Sequence, residues 1–330
     1  MSKSRGNVIS PEEIEEKYGA DILRLWVTME DYREDISLSF DLLEQVAEAY
    51  RRIRNTIRFM LGNLSDFDPL KDALPFERME ELDRYILLLF GDLKRKVLSA
   101  YERMEFHQIY HAVHNFCAVH LSAFYLNTIK DRLYIYAPDD ERRRSAQSAI
   151  ALMLVDLLRM LAPILVFTTE EAYGHLPQAL LRKESIHLEE MVQEDTFEDE
   201  ELRVRWEKLM RVRQEANIVL EELRQTGEVG NSQDAHLRLY ADGLMKEFLA
   251  KNLGNIKEIT VVSDVLVEGG EGVSLARQME FDDGTVRVTA EKAGGEKCAR
   301  CWMWSSRVGS DRNHPQVCER CSEVLSEIGK

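Results

Sequence analysis

Two cysteine pairs carry the clearest chemistry in the sequence: Cys298-Ala-Arg-Cys301 and, further along, Cys318-Glu-Arg-Cys321. Two residues between cysteines let both thiolates of a knuckle face one cation, and two knuckles complete a tetrahedral set. Four protein sulfurs leave no position for water, so the expected centre is structural and not hydrolytic. Zinc suits tetrahedral thiolates best, although iron takes the same ligands. A redox CxxC is disfavoured because there are two, and neither follows a strand-to-helix pattern. Trp302 and Trp304 come directly after the first knuckle. Such rings either cover the metal core or offer a face on which an unpaired RNA base stacks, and Trp304 is the candidate for stacking. Cys117 stands alone in an apolar helical pattern and reads as a small core residue. His107, His111 and His114 share a helical face. With no fourth ligand placed by sequence, they read as a polar patch and not as a second metal site.

Basic side chains form the other group with chemical potential. On a helix beginning near Asp41, the residues Val46, Tyr50, Ile53, Ile57 and Met60 define a buried side. Arg51, Arg54 and Arg58 then fall together on an outward side. They are candidate phosphate contacts, since guanidinium forks match phosphate oxygens. The alternative is a solvated stripe paired with nearby acids. A net charge of −16 does not exclude RNA, because binding follows local potential and not the sum. The acids concentrate between Glu189 and Glu201, while bases gather at Arg51–Arg54, Lys94–Lys96, Arg142–Arg144 and Arg203–Arg213.

The elements that must position these groups are mostly helical. The 330 residues, 45% hydrophobic and 31% charged with 7 prolines, suit several mainly helical domains. Ser10-Pro11-Glu12-Glu13 reads as a capped helix start. Apolar residues recur at helical spacing from Asp41 to about Leu180, with breaks near Pro138 and Pro163, which predicts an up-and-down bundle. A long helix follows the acidic stretch, carries Leu202, Trp206, Leu209, Ala216 and Leu220, and ends at Gly227. Beyond it, His236–Tyr240, Ile256–Val262, Gly272–Arg277 and Thr285–Ala290 alternate like short strands. The expected fold is therefore mainly α: a helical bundle, then a small α/β domain, then a C-terminal four-cysteine zinc-binding module. The expected domains are 1–40, 41–185, 186–290 and 291–330. Asp156, Arg159 and Pro163 interrupt the apolar run Ala149–Phe167, which argues against a membrane span. Paired cysteines without a signal sequence suit a reducing, cytoplasmic setting.

Several segments resemble one enzyme family. Met1-Ser2-Lys3-Ser4 resembles the tail of the KMSKS signature of class I aminoacyl-tRNA synthetases. Arg5–Pro11 and Gly19–Trp26 resemble the segment that follows it in the isoleucine, valine and leucine enzymes. Ala49–Thr56 is similar to the first helix of their anticodon-binding bundle, and Ala162–Leu165 with Thr169-Glu170-Glu171 resembles its last helices. The CARCW and CERC knuckles resemble the isoleucyl branch. The resemblance implies that the chain is a C-terminal part of such an enzyme, with tRNA for isoleucine as its partner and one structural zinc. It also implies that Lys3 contacts ATP in the full-length enzyme, offsetting negative charge as pyrophosphate departs. The first Lys of KMSKS, a HIGH signature and a Gly-rich phosphate loop do not occur. The catalytic and editing domains are therefore expected upstream of Met1, no catalytic residue within the chain, and no aminoacylation by the chain alone. A monomer that binds neither DNA nor membrane is expected. The alternative is a free-standing RNA-binding protein derived from such a synthetase.

Overall fold

The first helix begins where the sequence caps it. In the computed structural model, which describes residues 9–193, 197–270 and 277–329, Ser10 and Glu13 form a reciprocal capping box at the start of α1 (Pro11–Tyr18). Lys3 and the rest of the KMSKS-like segment lie outside the described residues. Gly19, at φ +88°, turns the chain directly into α2 (Ala20–Met29).

By contacts the chain divides into two units, 1–127 with 138–198 and 128–137 with 199–330. In the first, α3 (Phe40–Gly62), capped by Ser39, buries Leu43, Val46, Ile53, Ile57 and Met60 along one side, as the apolar spacing predicts. α4 (Glu81–Glu102) ends in a Schellman motif: the amide of Glu105 reaches the carbonyl of Ala100 and that of Met104 reaches Tyr101. Met104 occupies the left-handed position at φ +56°. α5 (Phe106–Asn115) continues as a π-helix over Phe116–Tyr125 and a single turn, α6 (Leu126–Thr128). α8 (Glu141–Leu161) is the bundle's most enclosed helix, and α9 (Val166–Tyr173) follows. The fully buried Asp83 accepts hydrogen bonds from Tyr125 and Ser145, and Lys94 pairs with Asp156 at 2.9 Å. Those partners satisfy polar groups that would be costly to bury alone.

The second unit contains the short α7 (Lys130–Ile135) and the long α10 (Glu200–Gln225). Strands β1 (Ala235–Tyr240), β2 (Asp264–Glu268), β3 (Arg277–Phe281) and β4 (Gly284–Lys292) form one sheet in the order β2-β1-β4-β3. β1 and β2 are parallel, so the chain crosses between them through α11 (Gly243–Lys251) and α12 (Leu253–Thr260). α10 covers β3 and β4.

This corrects one predicted strand. Ile256–Val262 is mostly helical, because Ile256, Ile259 and Thr260 bury one face at three- and four-residue steps despite their β-branched character. Most of the predicted strand Gly272–Arg277 lies outside the described residues, and Arg277 opens β3. No helix among the described residues is long and apolar enough to cross a membrane.

Candidate metal centre and nucleic-acid interface

The first cysteine knuckle is built on a two-stranded ribbon. β5 (Glu296–Lys297) pairs antiparallel with β6 (Trp304–Ser305), which closes the loop that carries Cys298 and Cys301. The amide of Cys298 donates to Met303, and that of Trp302 donates back to Cys298. Gly295 precedes the ribbon at φ +90°, where a Cβ would stand 2.6 Å from the backbone of Ser305. The second knuckle is a helix start: Cys318 is the N-cap of α13 (Glu319–Ile328) and Cys321 lies in its first turn.

All four cysteines are buried, and their sulfurs lie within 4.8 Å of one another. The Sγ atoms of Cys301 and Cys318 are 3.8 Å apart, close to the edge of about 3.8 Å that four sulfurs at Zn–S distances of about 2.3 Å define. The amide of Cys318 also donates to Cys298 Sγ at 3.3 Å, a bond suited to a thiolate. Hydrogen bonding to Cys301 and then Cys321 holds the Cys318 thiol well below its ordinary range. The same sharing of protons, first with Cys301 and then with Cys318, pushes Cys321 up. The donor set therefore fits one structural zinc. Cys298, Cys301, Cys318 and Cys321 would hold it, and the ion would cross-link two knuckles that also share a small apolar cluster, in which Met303, Val308 and Leu325 pack against Ile135 and Val317, and a backbone bond from Ala299 to Gln316.

The two tryptophans differ. Trp304 is half-buried, and its indole Nε1 donates to Asp234 at 2.8 Å while its amide donates to Ser263. Burial raises the Asp234 carboxyl, but hydrogen bonds from Trp304 and Lys297 outweigh it and leave the group below its usual range. Trp302 is 61% exposed and sits at φ +62°. A left-handed backbone at a bulky residue is strained and calls for a reason. Spacing alone does not distinguish the two rings.

On α3, Arg51, Arg54 and Arg58 are all exposed. Arg51 pairs with Glu48 and lies 3.5 Å from Glu44, and Arg54 meets Glu171 at 3.2 Å. That pairing raises the Arg54 guanidinium pKa. Arg58 has no carboxylate partner among the described residues, and neither do Arg52 nor Lys96. Beside them lies a group of rings that the sequence marked only as a polar patch. Tyr110 stacks on His114 at 5.8 Å and meets His111 edge-on at 5.0 Å. Partial burial favours the neutral form of His111 and His114, with the charges of nearby Lys96 and Arg52 adding to the effect. No further cluster of metal ligands occurs among the described residues.

Comparison with known proteins bears on both surfaces. Residues 83–239 match the family described as the anticodon-binding domain of tRNA ligase. Residues 1–39 match the class I tRNA synthetases of the I, L, M and V group, and 295–324 the zinc finger found in FPG and IleRS. The isoleucine–tRNA ligase of Carboxydothermus hydrogenoformans is 47% identical over 329 residues, covering 99% of this chain and 35% of that protein. Those of Syntrophotalea carbinolica and Geobacter sulfurreducens are each 45% identical, over 99% and 98% of this chain and again 35% of theirs. The chain thus spans about a third of the length of these relatives and lacks most of the catalytic region. With an anticodon-binding bundle and an IleRS-type zinc finger in one sequence, it belongs to the isoleucine–tRNA ligase family.

Proposed function

We propose that this chain is the tRNA-recognition part of an enzyme that activates isoleucine with ATP and charges tRNA for isoleucine. The match of residues 83–239 to an anticodon-binding family carries the reading. Binding of the purified chain to tRNA for isoleucine, set against several other tRNAs, tests it. A clear preference for the first is expected, and equal binding to all would sink the assignment. The domains expected from sequence divide the work: the bundle at 41–185 meets the anticodon stem-loop and the module at 291–330 helps to hold it. The chain works as a monomer in the cytoplasm, and its five buried cysteines, none of them in a disulfide, suit a reducing compartment.

The phosphate-facing surface lies on the bundle. Exposed ion pairs such as Arg51–Glu48 and Arg54–Glu171 contribute only about 0–1 kcal/mol, so either arginine can exchange its carboxylate for a phosphate at little cost. Arg58, Arg52 and Lys96 need no such exchange. Tyr110 and the uncharged imidazoles of His111 and His114 are suited to stacking on unpaired bases. On the zinc module, Trp302 supports the stacking role better than Trp304, whose indole is already engaged with Asp234.

Lys3 contacts ATP in the full-length enzyme and acts on the departing pyrophosphate. In this chain alone it has no nucleotide to act on. Isoleucine-dependent exchange of pyrophosphate into ATP is therefore at background for the purified chain, and exchange abolished by Lys3→Ala would overturn that reading.

A further inference from the structure

Residues 128–137 interrupt the bundle sequence, yet they pack with 199–330. Three anchors hold them there. Ile135 joins the apolar cluster formed with the four cysteines. Arg320, which lies between the two cysteines of the second knuckle, donates from both Nη atoms to the two oxygens of Asp131, at 2.5 and 2.9 Å. Its guanidinium carbon lies 5.5 Å from the centroid of the Tyr136 ring. Arg132, nearly fully buried, makes a two-pronged ion pair with Glu258 on α12, one prong at 2.6 Å. The single helix inside this segment, α7, is six residues long. A helix of that length does not hold itself together in water and owes its form to its anchors.

We propose that zinc in the four-cysteine site fixes the conformation of residues 128–137, with Arg320 and Asp131 as the positioning pair. Arg320 is flanked by Cys318 and Cys321, so the direction of its side chain follows the second knuckle. Zinc ties that knuckle to the first, and the energy of binding in such sites is energy of folding. Without the ion, the module keeps too little apolar contact to fix Arg320 or to cover Ile135. Two of the three anchors then loosen together, and Arg132–Glu258 alone holds the segment. Residues 128–137 run without a break into α6 on one side and toward α8 on the other, so zinc acts on chain that lies far from its own module in sequence. The coupling is reciprocal: if zinc steadies the segment, breaking Arg320–Asp131 weakens zinc by the same factor. The inference does not depend on which RNA the chain binds.

Hydrogen exchange on the intact chain, followed by mass spectrometry, tests this. Stripping zinc with a chelator should speed exchange in peptides from 128–137 by about tenfold or more, with α3 and α10 changed far less. Asp131→Asn and Arg320→Gln, with zinc still present, should speed exchange in the same peptides. Both should also give up zinc to a competing chelator more readily than wild type. Unchanged exchange at 128–137 on zinc removal would overturn the proposal. So would loss of protection in α10 equal to that at 128–137, which would mean that the whole unit unfolds. Wild-type exchange and zinc affinity in both variants would show that the pair positions nothing.

Discussion

Asp21 caps a helix far along the chain: its carboxylate accepts the backbone amide and the hydroxyl of Thr168, 147 residues later, at 2.8 and 2.6 Å. α9 has no side-chain cap from its own preceding residue, Leu165. Asp21 supplies one from α2, and also accepts the amide of Phe167. Arg24 adds bonds to the carbonyls of Pro163 and Ile164, and Tyr50 reaches the Thr168 hydroxyl at 2.9 Å. A buried carboxylate at a helix N-terminus is favoured both as a hydrogen-bond acceptor and by the helix dipole. Asp21→Ala should therefore destabilise the bundle by about 1–3 kcal/mol in urea unfolding. Asp21→Asn, which keeps an acceptor, should cost less than the alanine. A loss below about 0.5 kcal/mol for alanine would mean that water replaces the cap.

The two Schellman ends provide an internal comparison. Gly227 takes the left-handed position after α10, with the amide of Glu228 on the carbonyl of Leu223. Met104 takes the same position after α4, although it is 61% exposed and buries little there. Met104→Gly should raise stability by about 1 kcal/mol, and Gly227→Ala should lower it by a similar amount. Thermal unfolding of both variants checks the pair. A destabilised Met104→Gly would show that the side chain makes a contact worth more than its strain.

These same features mark how far the sequence could be read. Ser10 with Glu13, the apolar side of α3 and the paired cysteines are local patterns, and each was legible. The Asp21–Thr168 cap joins segments whose separate patterns say nothing about meeting. The strand predicted at Ile256–Val262 failed because β-branched residues at three- and four-residue spacing satisfy either period over so short a run. The difference between Trp302 and Trp304 arises from a left-handed backbone and from Asp234, neither of which spacing reveals.

Purified protein should carry one zinc per chain, held by Cys298, Cys301, Cys318 and Cys321. Elemental analysis without added metal checks the stoichiometry, and Cys301→Ser should lose the ion. Chelation should unfold the module while far-UV circular dichroism, dominated by the bundle helices, falls little. Full zinc content in Cys301→Ser would mean that another residue completes the set.

A salt titration of tRNA affinity separates the two modes of RNA binding. For alanine at Arg51, Arg54 and Arg58 together, affinity should fall similarly for every tRNA, and the salt slope should shrink by roughly 0.7–0.9 for each phosphate no longer neutralised. Trp302→Ala should alter discrimination among tRNAs and leave the slope nearly unchanged, at a cost of about 1–3 kcal/mol for a stacked base. Trp304→Ala should act mainly on stability, through Asp234. If the triple variant binds as wild type does, with folding verified, the phosphate surface moves to Arg52 and Lys96.

The placement of residues 128–137 also sets an order of events during synthesis. Asp131 finds its partner Arg320 only 189 residues later. At ordinary elongation rates that is a wait of roughly 10–40 s, during which the segment has left the ribosome before its zinc knuckle exists. The bundle helices on both sides can assemble in that interval, but the stretch between them cannot reach its final place. A nascent chain halted before Cys318 would therefore carry a finished bundle with one unfinished loop, open to proteases until the last knuckle closes over its metal.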